Sequence, residues 1–106
     1  MSTEELTLIH EDRDDRGGFY FRTPGCVTLG EIEYKKEDFP VLDFHHTWVD
    51  KSLRGQGRAG QLLDAAMAWA RETKHTVRPT CPYVVKQFEE NESLHDLYAA
   101  DFKRSD

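Results

Sequence analysis

The feature that most limits what this chain can fold into is a glycine-punctuated joint, Val49-Asp50-Lys51-Ser52-Leu53-Arg54-Gly55-Gln56-Gly57-Arg58-Ala59-Gly60. It links an apolar, strand-like run, Val41 to Val49, to an amphipathic, helix-like run, Gln61 to Glu72. In that second run Leu62, Leu63, Ala66, Trp69 and Ala70 recur at three- and four-residue steps, a stripe wide enough to cover one sheet face. Strand, tight turn and helix in succession place the chain in the mixed α/β class. The joint also has chemical content. Amides at a helix start lack partners inside the helix, and with the positive end of the helix dipole they attract phosphate oxygens. Gly55, Gly57 and Gly60 let an anion approach the backbone, and Lys51, Arg54 and Arg58 are opposed here only by Asp50. The stretch reads as an anion cradle.

Three families build such cradles. A Walker loop needs Lys-Ser or Lys-Thr entering the helix, and neither pair is present. The run Gly55 to Gly60 satisfies the G-x-G-x-x-G spacing of dinucleotide folds, but Asp50 to Leu53 separate it from its strand. The ribose-binding acid expected roughly 20 residues on is missing, since position 80 is Thr80. The third pattern, [RQ]-x-x-G-x-[GA], is met by Arg54, Gly57 and Ala59, with Val49 at the strand end. On these residues the chain resembles the GNAT superfamily of acetyl-coenzyme A-dependent N-acetyltransferases. His46-Thr47-Trp48-Val49, Leu53 to Gly57 and Cys81-Pro82-Tyr83-Val84 further resemble its short YjdJ-type branch, which lacks the helices between the first two strands.

The resemblance implies acetyl-coenzyme A as ligand, with the diphosphate on the loop and the pantetheine arm along the fourth strand. The cofactor-binding residues so implied are Trp48, Val49, Leu53, Arg54, Gly55, Gln56, Gly57, Arg58, Ala59 and Gly60. It also implies that the fifth strand splays from the fourth to admit the thioester. The implied activity is transfer of acetyl to an unidentified amine, small or carried by a protein. A non-catalytic sensor that binds acetyl-coenzyme A is the alternative, and a loop holding some other phosphate ligand is a third reading.

Taken in order, strands are expected at Leu6 to His10, Phe19 to Arg22, Val27 to Lys35, Val41 to Val49 and Thr76 to Pro79. The first four make a mostly antiparallel meander, giving a five-stranded sheet with one main helix after strand four. Asp12 to Gly18 reads as a charged turn ending in a flexible glycine pair, and Val27, Leu29 and Ile32 as core. Pro82 suits the first position of a second helix whose apolar side is Val84, Val85 and Phe88. After a break at Asn91-Glu92-Ser93, a short last helix runs from Leu94 to Phe102.

Acetylation of an amine requires an amine freed of its proton and a leaving thiolate that gains one. His46 is the candidate base, because imidazole titrates near neutral pH. Alternation puts His46 and Trp48 on one face and Thr47 and Val49 on the other unless a bulge intervenes. Cys81, at a helix start, is the second candidate, as nucleophile or as acid for the coenzyme thiolate. The superfamily's acid is a tyrosine in a pattern like N-x-x-A-x-x-L-Y. Asn91 to Tyr98 reproduces that spacing one helix late, whereas counting from Cys81 puts Phe88 at the tyrosine position and leaves Tyr83 or Cys81 to substitute.

Composition narrows the partners. With 106 residues, one domain is expected, and 38% hydrophobic residues with 11% aromatics support a folded chain. A formal charge of −6 argues against nucleic acid. No apolar run reaches the roughly 18 residues of a membrane span, and no signal peptide is read in the acidic N-terminus. Two cysteines fit free thiols in a reducing, cytoplasmic setting, and no spacing is read as a metal site.

Overall fold

The computed structural model describes residues 5–100. Five strands pair in chain order: β1 (Thr7–Asp12), β2 (Arg16–Arg22), β3 (Thr28–Lys36), β4 (Val41–Val49) and β5 (Thr76–Pro79). The first three pairings are antiparallel and the β4–β5 pairing is parallel. The connection explains the change. Helix α1 (Arg58–Glu72) fills the crossover from β4, and a helical crossover returns the chain in its original direction. Helix α2 (Pro82–Glu90) and a 3₁₀ segment, Glu92–Leu97, close the fold. The fold is therefore the expected mixed α/β sheet with one main helix after strand four and two shorter helical elements behind it.

Helix α1 buries Leu62, Leu63, Ala66, Met67 and Ala70 in one cluster with Phe19, Phe21, Ile32, Tyr34, Leu42 and Phe44 of the sheet. The approach is close: a Cβ placed on Gly30 of β3 would lie 3.4 Å from a Leu62 methyl. Truncating a fully buried leucine such as Leu62 to alanine costs about 2–5 kcal/mol. Val84 and Phe88 of α2 and Leu94 and Leu97 of the 3₁₀ segment extend the same cluster. Both helices thus lie on one face of the sheet.

Three expectations change. Gly17 and Gly18 are not a flexible turn but the buried start of β2. A side chain at Gly17 would collide with the Tyr34 ring and one at Gly18 with the Tyr20 hydroxyl, so here glycine makes room for two tyrosines. Val27 is 55% exposed in the turn before β3, because the core parity of that strand is Gly30, Ile32 and Tyr34. Leu29, on the other parity, is half-buried. The last helical element is a 3₁₀ run that begins inside the expected break, held by Arg71, which bonds the Ser93 carbonyl and Asp96. Phe102 lies outside the described residues.

Strand β4 carries a bulge. Tyr34 of β3 faces Phe44 and Glu33 faces His46, so His45 has no partner. The extra residue reverses the parity of β4. Leu42 and Phe44 face the helices before it, Thr47 and Val49 face them after it, and His46 and Trp48 turn to the open face beside Glu33 and Glu31.

Candidate functional site

After β4 the chain makes a 3₁₀ turn, Lys51–Leu53, capped by Asp50, whose carboxylate accepts from the Ser52 amide and hydroxyl at 3.0 and 2.6 Å. Gly55 and Gly57 then adopt φ of +81° and +73°, conformations that cost an L side chain about 1–2 kcal/mol. Gly57 is the N-cap of α1, and with no side chain it leaves the first amides of the helix uncapped. A Cβ at Gly55, Gly57 or Gly60 would meet nothing within 4 Å, so these positions border open space. The joint thus leaves bare amides at the positive end of a 15-residue helix, an arrangement that attracts anions.

The second component is a gap in the sheet. Pairing of β5 with β4 ends at Phe44 and Pro79. The Thr80 and Cys81 amides both donate to the Phe44 carbonyl at 3.1 and 3.0 Å, which turns the chain away into α2. From His45 to Val49 the outer edge of β4 therefore has no strand beside it among the described residues. The resemblance implied a splay of the fifth strand from the fourth; here β5 stays paired over its whole length and the two part where the chain turns into α2.

Two cavities of about 360 and 240 Å³ occupy this region and share Val49, Arg54, Ala59 and Tyr83. They form one cleft, from Gly55, Gly57 and Gly60 at the helix start to Thr47 and Trp48 beside the open edge of β4. Every residue expected to contact the cofactor lines it except Gln56, whose side-chain amide folds back on the Ser52 carbonyl. Arg54 borders both cavities, whereas Arg58 lies over the Phe21 ring and bonds Gln61. Tyr83, in the first turn of α2, faces the middle of the cleft. Burial above all, then Asp64 and Cys81, pushes its phenol upward from its ordinary range, so the hydroxyl stays protonated and can donate.

The two expected catalytic residues fall on opposite sides of the sheet. Cys81 is buried at the N-cap of α2 on the helix side, its Sγ 3.5 Å from Thr47 Oγ1, and it touches the cleft only through that threonine. His46 stands on the open face, with Nε2 2.7 Å from Glu31 Oε2. Glu33 lies alongside, accepting the Tyr20 hydroxyl at 2.9 Å, and the donor atoms of Glu31, Glu33 and His46 all fall within 4.8 Å of one another. Burial and the Glu33 carboxylate both push the Tyr20 phenol upward. Of the competing tyrosine positions, Phe88 is fully buried against Tyr98, ring centroids 5.0 Å apart, and Tyr98 bridges Val77 away from the cleft. Glu31 and Glu33 carry no motif in the sequence. Their only signal there is alternation along β3, and their partners are set by cross-strand register.

The chain is similar to known proteins. The family model described as GCN5-related N-acetyl-transferase matches residues 18–97, from within β2 to the end of the last 3₁₀ segment. Protein NATD1 of Xenopus tropicalis is 32% identical over 91 residues, covering 86% of this chain and 83% of the relative. A GCN5-like protein from Staphylococcus aureus, solved in solution, superposes with a TM-score of 0.68 at 28% identity, over 93% of this chain and 91% of that one. An aminoglycoside N-acetyltransferase solved with coenzyme A shares the fold, with a TM-score of 0.53 at 20% identity over 89% of this chain and 78% of that one. With the glycine joint, the parted strands and a family match over most of its length, this chain belongs to the GCN5-related N-acetyltransferases.

Proposed function

We propose that the chain binds acetyl-coenzyme A in this cleft and transfers the acetyl group to an amine. The observation that carries the reading is the continuity of the cleft, from an uncapped helix N-terminus to a strand edge that has lost its neighbour. The α1 amides hold the diphosphate and Arg54 adds a charge-assisted bond. The β4 edge from Thr47 to Val49 offers unpaired backbone groups to the amides of the pantetheine arm, as an added strand would. Acetyl-coenzyme A supplies the activated carbonyl. A solved structural neighbour, the aminoglycoside N-acetyltransferase, holds coenzyme A, which supports the ligand class. The two free thiols suit a reducing compartment such as the cytoplasm, and no helix among the described residues is long and apolar enough to cross a membrane.

The chemistry divides between the two faces. The amine nitrogen bonds the acetyl carbon as the carbon–sulfur bond breaks, and an ammonium acceptor loses two protons. His46, oriented by Glu31, takes the first from the open face and passes it to water, and the second leaves the nitrogen for water once the new carbon–nitrogen bond has made it acidic. Tyr83 delivers one to the thiolate from the cleft and is restored by solvent. Cys81, screened by Thr47, has no part in this route, and transfer is direct.

Heat denaturation with acetyl-coenzyme A, coenzyme A, ATP and NAD tests the ligand, because one that binds only the folded chain raises its melting point. The reading requires a shift with both coenzyme A species and none with the other two. It falls if ATP or NAD shifts the transition and acetyl-coenzyme A does not. Saturable binding without turnover on any amine leaves a sensor in place of an enzyme.

A further inference from the structure

The open face of the sheet holds a groove of about 440 Å³ that the cofactor cleft does not use, and its charges are sorted along its length. Glu31, Glu33 and Lys35 of β3 all turn to this face, since they alternate with the core residues Ile32 and Tyr34. At a strand rise of about 3.3 Å, Lys35 lies roughly 7 Å from Glu33 and roughly 13 Å from Glu31 along the backbone. Across the groove Arg16 stands opposite Lys35, and Tyr20 opposite Glu31. Arg22 also lies at the Glu31 end, over the Tyr20 ring, but Glu11 takes it up at 2.9 Å, so that end keeps the charge of Glu31 and Glu33, while Arg13, whose amide bonds the Arg16 carbonyl, joins Arg16 and Lys35 at the other.

Among the described residues no direct ion pair joins the two ends. Glu33 accepts only the Tyr20 hydroxyl and Glu31 meets His46, and no lysine or arginine among the described residues lies within 4.0 Å of either carboxylate. Lys35 is exposed with no carboxylate within that distance among the described residues, and Arg16 holds only its exposed chain neighbour Asp15, at 3.3 Å. The acidic end adjoins the reaction centre: Glu31 pairs with Trp48 and Glu33 with His46, on the part of β4 that β5 has left.

We infer that the acceptor is a small zwitterion, a primary ammonium seated at Glu31 and Glu33 with a carboxylate reaching Lys35 and Arg16. A diamine places its second cation against Lys35 and Arg16, and a plain alkylamine leaves both unmatched. The spacing fits an unbranched chain of about five methylenes between the charges. That the ammonium is then acetylated rests on the reading above; that the groove binds it does not.

The test is binding to the full chain without any acyl donor, in EDTA, followed by the NMR signals of the Trp48 indole and the His45 ring. The probes are aminohexanoate, hexylamine and diaminohexane. Aminohexanoate should bind at least about threefold more tightly than either amine, as partly exposed ion pairs allow. Lys35→Glu should reverse the order in favour of diaminohexane and leave the melting shift with acetyl-coenzyme A unchanged. Equal binding of the three probes, preference of the native chain for diaminohexane, an order unmoved by Lys35→Glu, or no response at Trp48 and His45 each overturns the inference. Aminohexanoate binding without any acetyl-coenzyme A shift keeps the zwitterion site and removes the acetyltransferase reading instead.

Discussion

His46 and Glu31 meet at 2.7 Å on the open face of the sheet only because His45 is an unpaired extra residue in β4. Without that bulge the imidazole would share the helix-covered face with Leu42 and Phe44. On the open face it can take a proton from an amine that arrives away from the coenzyme. Replacing His46 with alanine should lower kcat about a hundredfold and leave the KM for acetyl-coenzyme A unchanged. Glu31→Gln should give a smaller loss of the same kind, because it removes orientation and keeps the base. A rise in KM for acetyl-coenzyme A with kcat intact would assign the pair to cofactor binding.

Gly60 lies in the first turn of α1 with open space where a side chain would go. Gly60→Glu should leave the melting temperature of the free chain equal or higher, since the helix loses a glycine and gains an acid at its positive end. The same carboxylate opposes the diphosphate, so affinity for acetyl-coenzyme A should fall at least about tenfold. A folded variant with unchanged affinity would place the diphosphate elsewhere.

Tyr83 borders both cavities and Cys81 borders neither. Tyr83→Phe should cut kcat by about ten- to a hundredfold while coenzyme A still binds. Cys81→Ser should retain turnover and form no acetyl adduct detectable by mass spectrometry. An acetylated native Cys81, lost in the serine variant, would replace direct transfer with a two-step route.

Burial lowers the imidazoles of both His10 and His75 below the ordinary value of 6.5, and Lys36 adds to the lowering while Asp12 opposes it. At higher pH both rings are neutral, folded or unfolded. As pH falls through about 6.5 the unfolded rings take up protons that the folded ones resist, so stability declines. His10 stacks on Phe19 at 4.0 Å and meets the Tyr34 hydroxyl at 2.9 Å, while that hydroxyl donates to Asp12 at 2.6 Å. Urea midpoints measured from pH 7.5 to 5 should drift downward, and a His10→Asn, His75→Asn double variant should flatten the slope. An equally steep decline in that variant would lay it to other groups.

Helix α1 ends in a Schellman-type turn. The Lys74 and His75 amides reach the Arg71 and Ala70 carbonyls at 3.1 and 2.8 Å, which forces Lys74 to φ +63°. Lys74→Gly should raise the denaturation midpoint, equivalent to about 0.5–1 kcal/mol. A lower midpoint would mean that the lysine side chain outweighs its backbone strain.

What the sequence determined by itself was local. The glycine joint, its uncapped helix and the stripe from Leu62 to Ala70 follow from neighbours a few residues apart, where turn geometry and helical period act directly. Tertiary structure decided what depends on pairing at long range. The parting of β5 from β4, the bulge at His45 and the meeting of His46 with Glu31 rest on cross-strand register, which one inserted residue reverses and no short stretch of chain encodes. Gly17 shows the same division: flexible beside Gly18 in isolation, it is held in β2 because Tyr34, from the neighbouring strand, needs the space above it.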